Sequence, residues 1–268
     1  MIKDRIKFFK RSIALVSEGA QATADDGTDP TVILNEDGEE SWVSPVDDGS
    51  QVTISVSFPQ GVVNRILLVD HNIANFRIVG DFEGTTDINN NNIPDGAIDV
   101  VNNDKKTSYF AFNEKPNLTN IQLELGETFP SGINKRIGRI IICEELGTFK
   151  GYPVIREINF SQNSRNVKSK GGPELITKQN RTLKRIPLQF RNYTEIDDIQ
   201  LVESLFLSQT PFLIWPCGGN ESQFKFPITG YRLQDIYKVQ TKGDFRTSFK
   251  DGSYEQLISA TATFAETV

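Results

Sequence analysis

The sequence predicts a mainly β protein, a β-sandwich followed by a second β-rich unit with one inserted helix. Three observations carry this. Apolar residues alternate with polar ones at period two in Val52, Ile54, Val56 and Phe58, and again in Ile258, Ala260, Ala262 and Phe264, which is the pattern of half-buried strands. Residues 50–150 show no sustained helical periodicity. A helical face arises only where Ile196, Ile199, Val202 and Leu205 recur at three-residue steps. With 268 residues, about two domains are expected.

Taken in order, residues 1–45 read as an extended acidic arm. Between Glu18 and Asp48, Gly, Asp, Glu and Thr dominate, and Val32-Ile33-Leu34 is the one apolar run, too little to fold alone. Residues 46–150 form the sandwich. Its strands are the Val52 run, Ile66–Val69, Phe76–Ile78, Tyr109–Ala111, Ile121–Leu125 and Ile140–Cys143, with an Asn/Asp-rich loop over Glu83–Lys106. Residues 151–268 form the second unit. Val154-Ile155 with Ile158 and Phe160 reads as a strand, Ser161–Lys184 as a polar loop around Gly171-Gly172-Pro173, and Leu183–Phe190 as the next strand. The helix spans about 194–208, capped by Thr194 with Asp197 three residues on and stopped by Thr210-Pro211. Phe212–Trp215 is a core strand ended by Pro216-Cys217-Gly218-Gly219.

Composition narrows the chemistry. The net charge of −6 argues against a chain built to coat nucleic acid, which needs surplus Lys and Arg. His71 is the only histidine, and Cys143 and Cys217 are the only cysteines. No Cys-x-x-Cys or His-x-x-x-His pair exists for zinc. No Gly-x-Ser-x-Gly elbow accompanies His71, which reads as a strand-end residue bonding a loop backbone group rather than a catalytic base. Glu144-Glu145 point to opposite faces of a strand, and Asp197-Asp198 to the exposed side of the helix, so neither makes a glycosidase pair. The expectation is a protein that is not an enzyme and holds no cofactor; Cys143 and Cys217 either pair or, the commoner case without an export signal, stay free and buried. No apolar run nears the roughly 20 residues of a membrane-spanning helix. The basic N-terminus precedes an apolar stretch too short for a signal peptide.

Two features remain. Within Asp87–Asp99, side-chain oxygens recur at Asp87, Asn89, Asn91, Asp95 and Asp99, a spacing suited to a hard cation such as calcium. The run resembles the calcium loops of thrombospondin type 3 repeats, with Asn91 and Asn92 where those carry Asp and Gly. The alternative is a solvated Asn/Gly turn. The second feature is charge segregation: ten acids and no base between Ser12 and Asn64, eight bases and one acid between Arg165 and Arg191. This reads either as two solvated segments or as the acidic arm docking on a basic loop of the same or a neighbouring copy. The basic segment lacks the interleaved aromatics of a single-strand binder, which argues against nucleic acid as its partner.

The stretch Ile66–Ile73 followed by Phe76–Gly80, with Lys135–Cys143 as a closing strand, resembles galactose-binding-like jelly-roll domains of tailed-phage structural proteins. The Lys170-Gly171-Gly172 loop, the strand to Phe190, the helix through Leu205 and Pro211–Pro216 are similar to phage distal-tail and minor tail proteins. The resemblance implies a non-enzymatic tail or baseplate component, in a virion tail assembled in the host cytoplasm. It would form a ring with copies of itself and contact other tail proteins. The alternative is a carbohydrate-binding adhesin that touches a host surface glycan, with or without calcium.

Overall fold

The computed structural model describes residues 6–36, 40–45, 50–82, 85–87, 91–93, 96–113, 118–151, 159–167, 175–193, 195–216, 236–250 and 257–267. In chain order the strands are β1 (Lys7–Phe9), β2 (Gln21–Ala24), β3 (Trp42–Val43), β4 (Val52–Ser57), β5 (Arg65–His71) and β6 (Phe76–Gly80). They continue as β7 (Ala97–Val100), β8 (Thr107–Ala111), β9 (Asn120–Leu125), β10 (Arg136–Cys143), β11 (Glu145–Thr148) and β12 (Asn159–Val167). After β13 (Leu175–Tyr193) comes the helix α1 (Ile196–Ser208), then β14 (Phe212–Trp215), β15 (Tyr237–Thr241), β16 (Arg246–Lys250) and β17 (Leu257–Glu266). The protein is mainly β, with antiparallel sheets. The chain divides into two units, one built from Phe9–Leu146 and the other from the residues up to Phe8 with Gly147–Gly218 and Tyr231–Val268.

The first unit is a sandwich of a four-stranded sheet, β3-β10-β5-β8, and a five-stranded sheet, β2-β4-β9-β6-β7. Ile54, Val56, Ile78, Ile121 and Leu123 of one sheet share a single core with Ile66, Leu68, Ile140 and Ile142 of the other. The period-two residues are thus those buried between the sheets, where each side chain contributes about 1.5–3 kcal/mol by leaving water. Gly138 sits where β10 passes β5. A Cβ there would lie 3.0 Å from the Cβ of Asp70, which itself holds a φ of 52°.

The acidic segment is not a free arm in this structure. Ala14, Ala20, Ala22, Ile33, Leu34 and Trp42 belong to the sandwich core, and β2 pairs with β4 from Gln21↔Ser57 to Ala24↔Ile54. Single apolar side chains, each spaced by turns, are sufficient because the sandwich supplies the rest of the apolar surface. Several of the described carboxylates of this segment are engaged within the same unit, some in their own turns and some across to other segments. Asp26 Oδ1 accepts from the Thr28 N–H at 2.9 Å, Asp29 Oδ1 from the Thr31 N–H at 2.9 Å, and Asp25 Oδ1 from the Thr53 N–H at 2.9 Å. Glu36 pairs with Arg11 Nε at 2.7 Å. Trp42 Nε1 donates to Thr28 Oγ1 at 2.7 Å. The Glu83–Lys106 segment, expected as loop, contains β7, paired with β6 from Phe76↔Val100 to Val79↔Ala97.

The second unit carries an eight-stranded sheet, β11-β1-β14-β15-β17-β13-β12, with β16 also paired to β17. The segment expected as a polar loop over Ser161–Lys184 is largely strand: β12 and β13 pair antiparallel from Asn159↔Arg185 to Val167↔Leu175, with a register shift between Gln162 and Ser164. Backbone pairing, which needs no apolar side chains, makes this ribbon. Ile186, Leu188 and Phe190 of β13 are buried. On α1, Ile199, Val202 and Leu205 are buried as the spacing predicts, but Ile196 is 42% exposed. The helix closes at Gln209 with a φ of 52°. Asp198, expected on the exposed side, is 2% exposed. Its carboxylate accepts the backbone N–H groups of Lys150 at 2.7 Å and Gly151 at 2.9 Å, so burial is compensated by two charge-assisted hydrogen bonds. Thr194, Val154-Ile155, Ile158, Gly171-Gly172-Pro173 and Cys217-Gly218-Gly219 lie outside the described residues.

Candidate functional site

The sandwich unit contains a cavity of about 450 Å³ lined by residues 87, 91–93, 97–99 and 109–112. Three pieces of chain form it: the loop after β6, the strand β7 at the end of the five-stranded sheet, and the strand β8 at the end of the four-stranded sheet.

The loop is held by its own polar groups. The Asp87 N–H donates to the Asn91 carbonyl at 2.9 Å. In return, the Asn91 N–H and Nδ2 donate to Asp87 Oδ1 and Oδ2, both at 2.9 Å. Such an Asx-type closure is what Asp and Asn favour in turns. Asn113 ties this loop to the end of β8, donating from its backbone N–H to the Thr86 carbonyl at 3.1 Å and from Nδ2 to the Asp87 carbonyl at 2.8 Å. Gly96, with a φ of +64°, turns the chain into β7; a Cβ there would lie 2.9 Å from the Gly80 carbonyl oxygen, so glycine is required on both counts. Asp99 on β7 pairs with Arg77 of β6 at 3.3 Å.

The β8 wall contributes Tyr109, Phe110 and Phe112. Tyr109 is fixed through its phenol, which donates to Glu145 Oε2 at 3.0 Å. Arg65 Nε meets the same oxygen at 2.5 Å, and its guanidinium carbon lies 5.9 Å from the centre of the Tyr109 ring. Arg65 Nη1 also donates to the carbonyls of Asn64 at 2.7 Å and Phe112 at 3.2 Å. Burial, reinforced by the Glu145 carboxylate, pushes the Tyr109 phenol above its ordinary range, so it stays a neutral donor.

Of the residues predicted to ligate calcium, Asp87, Asn91 and Asp99 line this one cavity, while Asn89 and Asp95 lie outside the described residues. Among the described residues no three His, Cys, Asp or Glu side chains gather around a point. Both Asp87 carboxylate oxygens accept from Asn91.

His71 lies elsewhere in the sandwich and is 3% exposed. Its Nδ1 accepts the Ile73 N–H at 3.3 Å, so the proton sits on Nε2, which donates to Ser108 Oγ at 2.9 Å. That polarity is opposite to a base taking a proton from a serine nucleophile. The expected backbone partner is present, and a side-chain partner is added. Glu144 and Glu145 diverge as predicted, Glu144 to Lys10 at 2.7 Å and Glu145 to Arg65. Cys143 is free and buried, its thiol pushed up by desolvation. Sequence reasoning missed Tyr109, Phe112, Asn92 and the Arg65–Glu145 pair as site residues. The available signal was an aromatic-rich strand, Tyr109-Phe110-Ala111-Phe112, close after an Asn-rich loop.

The sequence matches no family model and no curated protein. Among solved structures, a chitosan-binding module from a Paenibacillus sp. IK-5 chitosanase/glucanase is 13% identical, covering 50% of this chain and 98% of that one, with a TM-score of 0.38. A family 32 carbohydrate-binding module of Clostridium perfringens NanJ, solved with galactose, is 14% identical over 50% of this chain and 98% of its own, with a TM-score of 0.37. The family 32 module of Streptococcus pneumoniae EndoD is 12% identical over 50% and 99%, with a TM-score of 0.36. Among the described residues no helix is long and apolar enough to cross a membrane.

Proposed function

We infer that the sandwich unit is a non-catalytic carbohydrate-binding module. The observation that supports this is the cavity itself, whose lining joins the amides and carboxylates of Asp87, Asn91, Asn92 and Asp99 to the aromatic residues Tyr109, Phe110 and Phe112 at β8 and its end. A sugar presents hydroxyls on its edges and C–H groups on its faces. It is held where directional polar groups stand beside aromatic surface, the composition expected of a small-molecule site. At about 450 Å³ the cavity is within the usual range for such sites. The tail or baseplate role rests on the sequence resemblance, and no feature of the cavity calls for it.

Asn92 provides the test. It lines the cavity and is exposed, so Asn92→Ala should leave the melting temperature unchanged. Loss of one or two hydrogen bonds should weaken glycan binding roughly three- to tenfold. The measurement is a glycan array with the full chain, followed by calorimetry on the retained sugars. An array on which nothing is retained, or an Asn92→Ala protein that binds as tightly as wild type, contradicts the reading.

A further inference from the structure

We propose that the end of the sandwich around Phe129 is a docking surface for a second copy of this chain, the two copies related by a two-fold axis. Of the eight large apolar side chains that stand exposed among the described residues, four are Val43, Val101, Phe129 and Ile133. Hydrogen bonds join the segments that carry them. The Phe129 N–H donates to the Asn72 carbonyl at 2.7 Å, and the Asn103 N–H to the Ala74 carbonyl at 2.9 Å. Asn72 Nδ2 donates to the Asn134 carbonyl at 2.8 Å, and Asn134 Nδ2 to the Ser44 carbonyl at 2.6 Å. Apolar residues scattered singly over a surface are ordinary, whereas a gathered set marks a contact. The same bonds fix the surface before docking, so little chain ordering opposes association.

Charge selects the occupant. Among the described residues of these segments, the exposed acids are Asp70, Asp104 and Glu127, and the exposed bases are Lys105, Lys106 and Arg136. A rim with three of each sign offers no surplus charge to an anionic membrane or a polyanion. It suits a copy of itself. The net charge of −6 makes copies repel over the rest of their surface, while a two-fold contact sets each ion pair against its own image. Asp70 and Arg136 are paired with each other and nearly half exposed. Facing the same pair in antiparallel order, each charge gains a second opposite neighbour.

The experiment is sedimentation equilibrium of the full chain, from the low micromolar range to a few hundred micromolar. The mass should rise toward twice that of the monomer, with a dissociation constant on the order of 10–100 μM, as a small contact gives. Phe129 is 57% exposed. Phe129→Ser should therefore keep the melting temperature measured at low concentration, and weaken the dimer at least about tenfold. Arg136→Glu should weaken it roughly three- to fivefold, the scale of exposed charge pairs. Leu207→Ser, which removes an exposed side chain of α1, should leave it unchanged. A chain that stays monomeric across the range overturns the proposal, as does a dimer indifferent to Phe129→Ser. A mass that grows beyond the dimer marks a head-to-tail contact and overturns the two-fold pairing. A monomeric chain whose retention on the glycan array falls with Phe129→Ser assigns the surface to a sugar and overturns it as well.

Discussion

Phe8→Ala should destabilise the C-terminal unit by about 3–5 kcal/mol, the range for emptying a buried phenylalanine site. Phe8 is 0% exposed. Its ring centroid lies 4.8 Å from Phe149, 6.0 Å from Phe212 and 5.9 Å from Phe264, and Phe212 and Phe264 themselves meet at 5.5 Å. Tilted and edge-to-face pairs of this kind add about 0.5–1.5 kcal/mol each beyond area burial. Removing Phe8 leaves three rings facing a void that strand residues cannot relax to fill. The backbone reinforces the site, since the Phe149 N–H donates to the Ile6 carbonyl at 3.0 Å. Thermal or denaturant unfolding of the variant should show the loss as a fall in Tm on the order of 10–20 °C. Phe8→Leu, which keeps most of the volume, should cost about 1–2 kcal/mol. A Phe8→Ala variant that loses less than about 1 kcal/mol would show that β1 is dispensable to this sheet.

The second large effect is acid sensitivity set by His71. Burial lowers its pKa to about 4, against 6.5 in the unfolded chain, with the nearby Asp70 charge opposing that shift. Folding therefore excludes a proton that the unfolded state accepts. At neutral pH the imidazole is neutral in both states and costs nothing. As pH falls below about 6.5 the unfolded chain binds the proton and the folded one does not, so stability drops. The loss reaches about 2 kcal/mol by pH 5 and on the order of 3 kcal/mol near pH 4, where the folded histidine finally titrates. Because His71 is the only histidine, the interval from pH 6.5 to 5 isolates it from ordinary carboxylates. Denaturant midpoints across that interval should fall for the wild type and stay flat for His71→Gln. A flat wild-type profile would mean that the ring can be charged in place. That is incompatible with an Nδ1 accepting the Ile73 N–H and an edge-to-face contact with Phe76 at 5.5 Å.

Legibility from sequence followed how each element is stabilised. Strands β4, β9 and β17 were visible because each buries one face against a core and so alternates. The inner face of α1 was visible for the same reason, through Ile199, Val202 and Leu205. The acidic segment looks like an arm in the sequence because its buried residues, Ala14, Ala22, Ile33 and Trp42, are separated by Gly, Asp and Thr turns and make no periodic run. Likewise β12 beyond Phe160 and the start of β13 look like loop in the sequence, since backbone pairing leaves no hydrophobic pattern, whereas Leu183–Phe190 of β13 is legible as strand. Asp198 was misplaced because helical periodicity knows nothing of the Lys150 and Gly151 N–H groups it receives. The Asp87–Asp99 run stands out by its oxygen spacing. Its partner wall on β8 does not, because residues 87, 91–93 and 97–99 line one cavity with 109–112 only through the edge strands of two different sheets.

The central claim is that the cavity between the Asp87–Ile93 loop, β7 and β8 receives a sugar. Its most direct test is a titration of the isotope-labelled full chain with a sugar retained on the array, followed by backbone amide chemical shifts. Shifts that saturate and concentrate in residues 91–93, 97–99 and 109–112, while the amides of α1 and β14 stay fixed, are the expected result. Saturating shifts confined to other surfaces, with those residues unmoved, would contradict it.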